Sequence, residues 1–203
     1  MRHARPRLRV GISACLLGQK VRYDGGHKRD RRITGTLGRL FEWVPVCPEV
    51  ELGLGVPRET LRLEGRTRMS RLVFSDSRRD ITGRMNRWSR GRLKQLETMD
   101  LCGYILKSDS PSCGPEGVPV YPFGAKGRSR PEGVGLYARA LMRRFPLLPV
   151  EEEGRLHDPV LRKSFVERVL SYSRRRDLAV PGARRGPMLW NRAYARPLTP
   201  GWT

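Results

Sequence analysis

The sequence lacks the long apolar runs of a signal peptide or a membrane span, and charged residues occupy its N-terminus instead. Cysteine is sparse as well, because the 203 residues contain four cysteines and none of the close CxxC pairs of zinc ribbons. A chain of this length buries a core without disulfide bonds. We therefore expect a soluble, cytoplasmic protein with reduced cysteines and no membrane partner.

Acidic residues are scarce: 20 Asp and Glu stand against 41 Lys and Arg, which gives a net charge of +21. Such a positive surface attracts phosphate backbones through counterion release, so RNA or DNA is one partner that the composition fits. Because the charges are scattered along the chain, a biased composition with solvated arginines explains them equally well. The sequence leaves both interpretations open.

Histidine is rare, and the glycine patterns of nucleotide-binding loops are missing. His3, His27 and His157 show no metal-ligand spacing. The pair Gly25-Gly26 lacks the spacing of a P-loop or a dinucleotide-binding fingerprint. We therefore predict neither a histidine metal site nor a nucleotide cofactor.

Strand-like and helix-like segments alternate along the chain, which predicts an α/β fold: a single Rossmann-like domain with a mainly parallel sheet flanked by helices. Short apolar strands are predicted at 8–12, 43–47, 102–107 and 147–150. Helices are predicted at 34–41, from 77 onward, across 134–145, and after the N-cap Asp158 with Pro159 at the first helical position. The Gly- and Pro-rich segment 111–131 is predicted to be a loop.

The composition changes near the C-terminus. Between Ser171 and Thr203 there are seven arginines, one acidic residue and four prolines. We predict one domain over residues 1–172 and a basic, proline-containing tail over 173–203. The aromatic residues of this tail leave three alternatives open, namely docking on the domain, stacking on bases, and disorder.

Three cysteines follow apolar strand-like runs and lie within turn signals. They are Cys15 in the segment Ser13–Gly18, Cys47 before Pro48, and Cys113 in a Ser-Pro-Ser-Cys-Gly turn. Because the exits of parallel strands meet at one edge of the sheet, these thiols can converge in space. Thiolates select soft metals, and a 4Fe-4S cluster needs four ligands, so three cysteines leave one iron open.

Two alternatives compete with this open cluster. Buried cysteines often serve as small hydrophobic residues without binding a metal, although the prolines and glycines here place the thiols on loops. Cys102 begins an apolar strand, and we interpret it as a core or strand-edge residue. If Cys102 were instead the fourth ligand, the cluster would be closed and would fit electron transfer or redox sensing better than catalysis.

Several polar residues lie close to these cysteines in sequence. Glu49 lies two residues after Cys47, where a carboxylate can move a proton or simply face solvent at a turn. Ser110 and Ser112 bracket a proline, so their hydroxyls either orient a substrate oxygen or cap the turn. Asp24 lies before two glycines and either makes a turn or contacts the substrate.

The motifs together resemble the thiouracil desulfurase (desulfidase) family over about residues 8–170. The motifs that carry the likeness are Ser-x-Cys-Leu-Leu-Gly, Tyr-x-Gly, Cys-Pro-Glu, Gly-Leu-Gly-Val-Pro-Arg and Ile-Leu-Lys-x-x-x-Ser-Pro-Ser-Cys-Gly. In this chain they span Ser13–Gly18, Tyr23–Gly25, Cys47–Glu49, Gly53–Arg58 and Ile105–Gly114. Several separated motifs in the same order make the likeness specific.

The resemblance implies a 4Fe-4S cluster held by Cys15, Cys47 and Cys113, with Glu49 and Ser110 as the catalytic polar pair. It also implies non-redox removal of sulfur, as sulfide, from thiolated pyrimidines such as 2- or 4-thiouracil and 4-thiouridine. Contacts with the substrate are expected from the polar residues Ser13, Asp24 and Ser112. The positive charge keeps thiolated tRNA open as a substrate, whereas a single compact domain suits a free base or nucleoside.

Two other functions remain open at this stage. One is a basic RNA-binding protein that acts on or senses thiolated tRNA, with a structural or redox-sensing cluster. The other is a metal-free or zinc protein with a nucleophilic cysteine. Neither explains why the three cysteine turns occur together.

Overall fold

A computed structural model of the chain describes residues 7–66, 69–124 and 128–177. The strands are β1 (Leu8–Ser13), β2 (Phe41–Val46), β3 (Leu61–Glu64), β4 (Arg71–Phe74), β5 (Gly103–Leu106), β6 (Val118–Tyr121), β7 (Arg130–Gly133) and β8 (Val150–Glu152). The α-helices are α1 (Arg31–Leu37), α2 (Pro48–Glu51), α3 (Thr82–Glu97), α4 (Leu136–Arg144) and α5 (Pro159–Asp177). Two short 3-10 helices, Ala14–Leu17 and Arg155–His157, follow β1 and β8.

Four strands form a parallel sheet in the order β2-β1-β5-β8. Its two central strands are apolar and buried along most of their length, as expected for parallel strands covered on both faces. In the register, Val10 of β1 lies opposite Trp43 of β2 on one side and Gly103 of β5 on the other. The predicted α/β fold with a mainly parallel sheet is confirmed.

Helices cover both faces of this sheet. On one face, α1 and α5 pack through Ile33, Leu37 and Phe165 onto Val10 and Ile12 of β1. On the opposite face, α3, α4 and a second sheet surround the buried ring of Tyr104. Gly11 of β1 leaves room for that ring, because a Cβ at this position would lie 2.2 Å from a ring carbon.

The second sheet was not predicted. It has the strand order β4-β3-β6-β7 and mixes parallel and antiparallel pairs. The prediction of an unbroken loop over 111–131 was wrong, because β6 crosses it and β7 begins at its end. Each of these strands has only four residues, and β6 and β7 both contain proline, so the alternation is too short to identify them from sequence.

The boundaries of several predicted elements shift; the helix predicted from 77 onward, for example, begins at Thr82. The first helix begins at Arg31 rather than 34, because Asp30 accepts a hydrogen bond from the backbone N–H of Ile33 at 2.9 Å. It ends before Phe41, which begins β2. The predicted strand 147–150 lies at Val150–Glu152, where the acidic Glu151 binds Arg168 at 2.9 Å.

The last helix begins as predicted, with Asp158 accepting the backbone N–H of Val160 at 2.7 Å. It continues through Asp177, five residues into the predicted tail of 173–203, and residues 178–203 of that tail lie outside the described residues. Among the described helices, none is long and apolar enough to cross a membrane.

Candidate functional site

The three turn cysteines lie at the carboxyl edge of the parallel sheet. Cys15 belongs to the 3-10 helix after β1, Cys47 follows β2 directly, and Cys113 lies in the loop after β5. From β1 the chain runs outward to β2 and then returns past β1 to β5, so the strand order reverses between β1 and β5. In open α/β sheets, this reversal opens a crevice beyond the strand ends where ligands bind.

Backbone hydrogen bonds fix the position of Cys15. Its carbonyl oxygen accepts from the N–H groups of Gly18 at 3.2 Å and Lys28 at 3.0 Å. Gly18 ends the 3-10 helix with a φ of 94°, a left-handed conformation that favours glycine. The Leu-Leu-Gly part of the motif therefore closes a loop around the thiol.

Cys47 is the N-cap residue of α2, which starts with Pro48. Its backbone N–H donates to Glu51 Oε1 at 3.0 Å, and its thiol donates to the carbonyl of Val21 at 3.8 Å. The Cys-Pro-Glu motif thus orients a thiol against the loop that follows Cys15.

Cys113 is buried and held by two serines. Its backbone N–H donates to Ser110 Oγ at 3.0 Å, and its thiol shares a hydrogen bond with the side chain of Ser13. Ser13 Oγ also accepts the backbone N–H of Lys107 at 3.0 Å, which bridges the ends of β1 and β5. Ser13 therefore ties the turn of the third cysteine to the turn of the first.

Electrostatics show that the three thiols share one environment. Burial, and then the neighbouring Cys47, raise the pKa of Cys15 to about 11. Burial raises the pKa of Cys113 well above its usual value, and both Cys47 and Cys15 add to that rise. Burial also raises the pKa of Cys47. Thiols in this state are protonated at neutral pH, so a metal that binds them must displace protons.

The chemistry of this donor set is compatible with an iron-sulfur cluster. Within the described ranges, no three His, Cys, Asp or Glu side chains come close enough together to hold one metal ion. In an iron-sulfur cube, each thiolate binds a different iron, so the ligands converge on a shared volume without meeting at a point. Three soft thiols that interact at the carboxyl edge of the sheet are the type of ligand that an iron-sulfur cluster takes.

Cys102 lies away from this edge. It is 6% exposed and packs with the core between the sheet, α1 and α5. Its backbone N–H donates to the backbone carbonyl of Arg9 at 2.8 Å, near the amino end of β1, whereas the other cysteines follow the carboxyl ends of their strands. The prediction that Cys102 is a core or strand-edge residue is confirmed, and its position gives no support to a cluster closed by this thiol.

Glu49 is anchored through both carboxylate oxygens. Arg58 donates to Oε2 from Nε at 2.9 Å and from Nη2 at 2.6 Å. Ser112 donates to Oε1 from its hydroxyl at 2.9 Å. The structure thus brings Glu49 and Ser112 together, although 63 residues separate them. Glu49 is a partly buried, oriented carboxylate rather than an exposed turn residue.

Arg58 is a site residue that sequence reasoning missed. Its side chain is 5% exposed, and besides Glu49 it binds the carbonyls of Val21 at 2.9 Å and Gly55 at 2.8 Å. The Val21 carbonyl also accepts the thiol of Cys47, so one guanidinium links the carboxylate to the surroundings of a cysteine. The signal that could identify Arg58 from sequence is its place at the end of the Gly53–Arg58 motif.

Ser110 and Asp24 both form turns. Ser110 Oγ accepts the backbone N–H groups of Cys113 at 3.0 Å and Ser112 at 3.3 Å, so it caps the turn of the third cysteine. Asp24 accepts the N–H of Gly26 at 2.9 Å, and this hydrogen bond lowers the pKa of the carboxyl. Asp24 is exposed and lies 3.5 Å from Arg22.

A second ion pair borders the site near Cys15. Lys107 binds the carboxylate of Glu153, and Ser108 donates to the same carboxylate from its backbone at 2.7 Å and from its hydroxyl at 2.8 Å. The positive charge of Lys107 acts to lower the pKa of Cys15, against burial. Lys107 lies within the motif Ile105–Gly114, but nothing in the sequence indicates its partner Glu153, which lies in the turn directly after β8.

A family model, a curated protein and a solved structure are each similar to this chain. The family model described as 2-thiouracil desulfurase matches residues 10–153. The uncharacterized protein YbbK of Bacillus subtilis (strain 168) is 30% identical over 108 residues, which span 51% of this chain and 71% of YbbK. The solved structure of the 4Fe-4S-dependent thiouracil desulfidase TudS is similar over 78% of this chain and 99% of its own, with 32% identity and a TM-score of 0.57.

Proposed function

Because the chain belongs to the 2-thiouracil desulfurase family, we propose that it is a desulfidase that releases the sulfur of a thiolated pyrimidine as sulfide. The substrates that we propose are 2- or 4-thiouracil and 4-thiouridine. Water supplies the oxygen that replaces sulfur on the ring carbon, and hydrogen sulfide leaves, so the reaction is hydrolytic and transfers no electrons. The observation that carries the proposal is the proximity of three interacting thiols and the anchored carboxylate of Glu49 at the carboxyl edge of the parallel sheet.

We propose Cys15, Cys47 and Cys113 as the ligands of a 4Fe-4S cluster, the cofactor named for the similar TudS. Their shared burial and mutual electrostatic interaction support this assignment, as does the remote position of Cys102. When bound, such a cluster supplies an iron without a protein ligand, a Lewis acid that prefers sulfur. A protein that depends on reduced thiols is also suited to the cytoplasm.

Glu49 is the residue that we assign to proton transfer. A carboxylate at the crevice can take a proton from the attacking water and return it to the departing sulfur. Arg58 and Ser112 each restrain one of its oxygens, so the carboxylate keeps one orientation while the substrate enters. Ser112 therefore acts on the substrate through Glu49.

Ser110 is assigned to the substrate side of the turn. Its oxygen already accepts two backbone N–H groups, so its hydroxyl hydrogen is left to donate to the ring or to the charge that develops during attack. Ser13, next to the thiol of Cys113, borders the same crevice. We also assign a substrate contact to Asp24, on the exposed turn that follows Cys15.

Anaerobic reconstitution with iron and sulfide, followed by assays on four substrates, tests this function. We expect the reconstituted protein to release sulfide from 2-thiouracil, 4-thiouracil or 4-thiouridine, with loss of the absorbance of the thiocarbonyl. Thiolated tRNA is the fourth substrate and measures whether the basic surface extends the range to RNA. Absence of sulfide from all four, with the cluster intact, would contradict the proposal.

The net charge of +21 favours a second candidate, a basic RNA-binding protein in which the cluster is structural or redox-sensing. This candidate predicts tight, salt-sensitive binding of tRNA together with unchanged thiouracil absorbance in the same assays.

A further inference from the structure

A cleft of about 560 Å³ lies beside α2, outside the cysteine crevice. One wall is a single face of α3, since residues at spacings of three and four share a helix face. The residues that line this α3 cleft are Glu51, Leu52, Arg84, Arg87, Trp88, Gly91, Arg92 and Gln95. Glu51 also accepts the backbone N–H of Cys47, so the cleft adjoins the helix that begins at a site cysteine.

The residues that line the α3 cleft carry three positive charges and one negative charge. Of its three arginines, Arg92 lies 2.9 Å from Glu51, the one acidic lining residue. Arg84 donates to the carbonyl of Leu52 at 3.1 Å, which holds its guanidinium at the wall without neutralising it. Arg87 is exposed. Two guanidinium groups are thus left to bind an anion, and phosphate is the anion whose oxygens match their paired donors.

An aromatic ring and an open space complete the cleft. Trp88 is partly buried and packs against Tyr137 with ring centroids 5.6 Å apart, which fixes the indole at the wall. A Cβ on Gly91 would meet nothing within 4 Å, so neither packing nor a left-handed backbone requires glycine there. Its lack of a side chain keeps the space beside Trp88 open, and a flat base can stack on such a ring.

We propose that the α3 cleft binds a phosphorylated nucleotide unit, with the phosphate on Arg84 and Arg87 and the base against Trp88. The unit comes either from a free nucleotide or from single-stranded RNA, and the chemistry recognised is the same. This inference goes beyond the desulfidase function and does not depend on it, because it concerns binding and not turnover.

Fluorescence anisotropy of a labelled oligouridylate of eight nucleotides, titrated with the full-length protein, measures this binding. We expect Arg87→Gln to weaken it about tenfold and to reduce the dependence of log K on log salt by about 0.7, the value for one phosphate contact. Arg39→Gln is the matched control, since Arg39 is exposed and precedes the amino end of β2, whereas α2 and the cleft follow the carboxyl end of that strand. Equal effects of both substitutions would mean that only general charge attracts RNA, and would overturn the proposal.

Competition with unlabelled uridine 5′-monophosphate, uridine and oligouridylate identifies the source of the unit. Displacement by the monophosphate but not by uridine shows that a free nucleotide suffices, whereas displacement by oligouridylate alone identifies RNA. Either result supports binding in the α3 cleft if Arg87→Gln also weakens the binding of that competitor. Displacement by uridine as strong as by its monophosphate would overturn the role given to phosphate.

A pair of glycine substitutions in α3 tests the location without removing charge. Gly91→Leu places a side chain inside the cleft, and Gly83→Leu places one in open space on the same helix but outside the cleft lining. We expect at least a tenfold loss of oligouridylate binding for Gly91→Leu and no change for Gly83→Leu. Circular dichroism checks that both variants keep their helices. Unchanged binding by Gly91→Leu would place the ligand elsewhere.

Discussion

The two carboxylate oxygens of Glu49 accept hydrogen bonds from different partners, one charged and one neutral. Arg58 takes Oε2 and Ser112 takes Oε1, which leaves the carboxylate little rotational freedom. Restrained geometry of this kind is what proton transfer to a bound substrate requires. Partners at sequence separations of 9 and 63 residues therefore fix the orientation of the carboxylate to which we assign proton transfer.

Glu49→Gln should abolish sulfide release while the cluster remains bound. The amide keeps the size of the side chain but cannot take up the proton, and general acid-base catalysis typically contributes a factor of about 10² to 10⁴. Sulfide release and the visible absorbance of the cluster, measured on the same reconstituted sample, check this expectation. Turnover that survives the substitution would remove Glu49 from the mechanism.

Arg58→Met should destabilise the protein by about 3 kcal/mol, because it leaves the partly buried carboxylate of Glu49 without its charged partner. Arg58→Lys keeps the charge but loses the paired donors of the guanidinium. We therefore expect Arg58→Lys to lower turnover while destabilising the protein less than Arg58→Met does. Urea denaturation and turnover measure the two effects. Arg9→Met, at an ion pair about half exposed on both sides, is the control and should cost less than about 1 kcal/mol. Equal losses in Arg58→Met and the control would contradict a special role for Arg58.

At the scale of elements, the turn that carries Cys113 is locked against the start of α4. Gly135 makes this close approach, since a Cβ there would lie 2.5 Å from the carbonyl carbon of Ser112 and 2.8 Å from the backbone nitrogen of Cys113. Backbone atoms cannot swing aside as a flexible side chain can. The position of the third thiol thus depends on a glycine outside the cysteine motif.

Gly135→Ala should therefore shift the Cys113 turn and lower the amount of iron that the protein retains. Iron content after anaerobic reconstitution measures the effect. Gly154→Ala is the matched control, because a Cβ at Gly154 meets nothing within 4 Å. If the two variants retained equal iron, the close approach at Gly135 would not control the site.

Predictability from sequence differed among the elements for physical reasons. The strands β1, β2 and β5 form apolar runs, and α5 starts with a capping aspartate and a proline, so each carries a strong local signal. The strands of the second sheet are four residues long, and β7 (Arg-Pro-Glu-Gly) contains no large apolar residue. Such strands form because the neighbouring strands of the sheet supply hydrogen bonds and packing. These contacts are distant in sequence, so a short segment of sequence does not predict them.

At the scale of the whole molecule, topology accounts for what the sequence predicted of the site. Three cysteines after three apolar runs predicted one shared edge, because parallel strands end together, and the sheet order confirms that edge. The pairing of Glu49 with Arg58 and of Lys107 with Glu153 could not be predicted, since side-chain orientation and loop folding decide them. The sequence thus indicates the cysteines and the carboxylate of the site, whereas the residues that form ion pairs with the site are found only in the structure.

Iron content of four cysteine variants after anaerobic reconstitution tests the central claim most directly. We expect about four irons per chain in the wild type and in Cys102→Ala, because Cys102 belongs to the core. Cys15→Ala, Cys47→Ala and Cys113→Ala should each lose most of that iron. Iron lost from Cys102→Ala but kept in Cys113→Ala would contradict a cluster held by the three thiols at the carboxyl edge of the sheet.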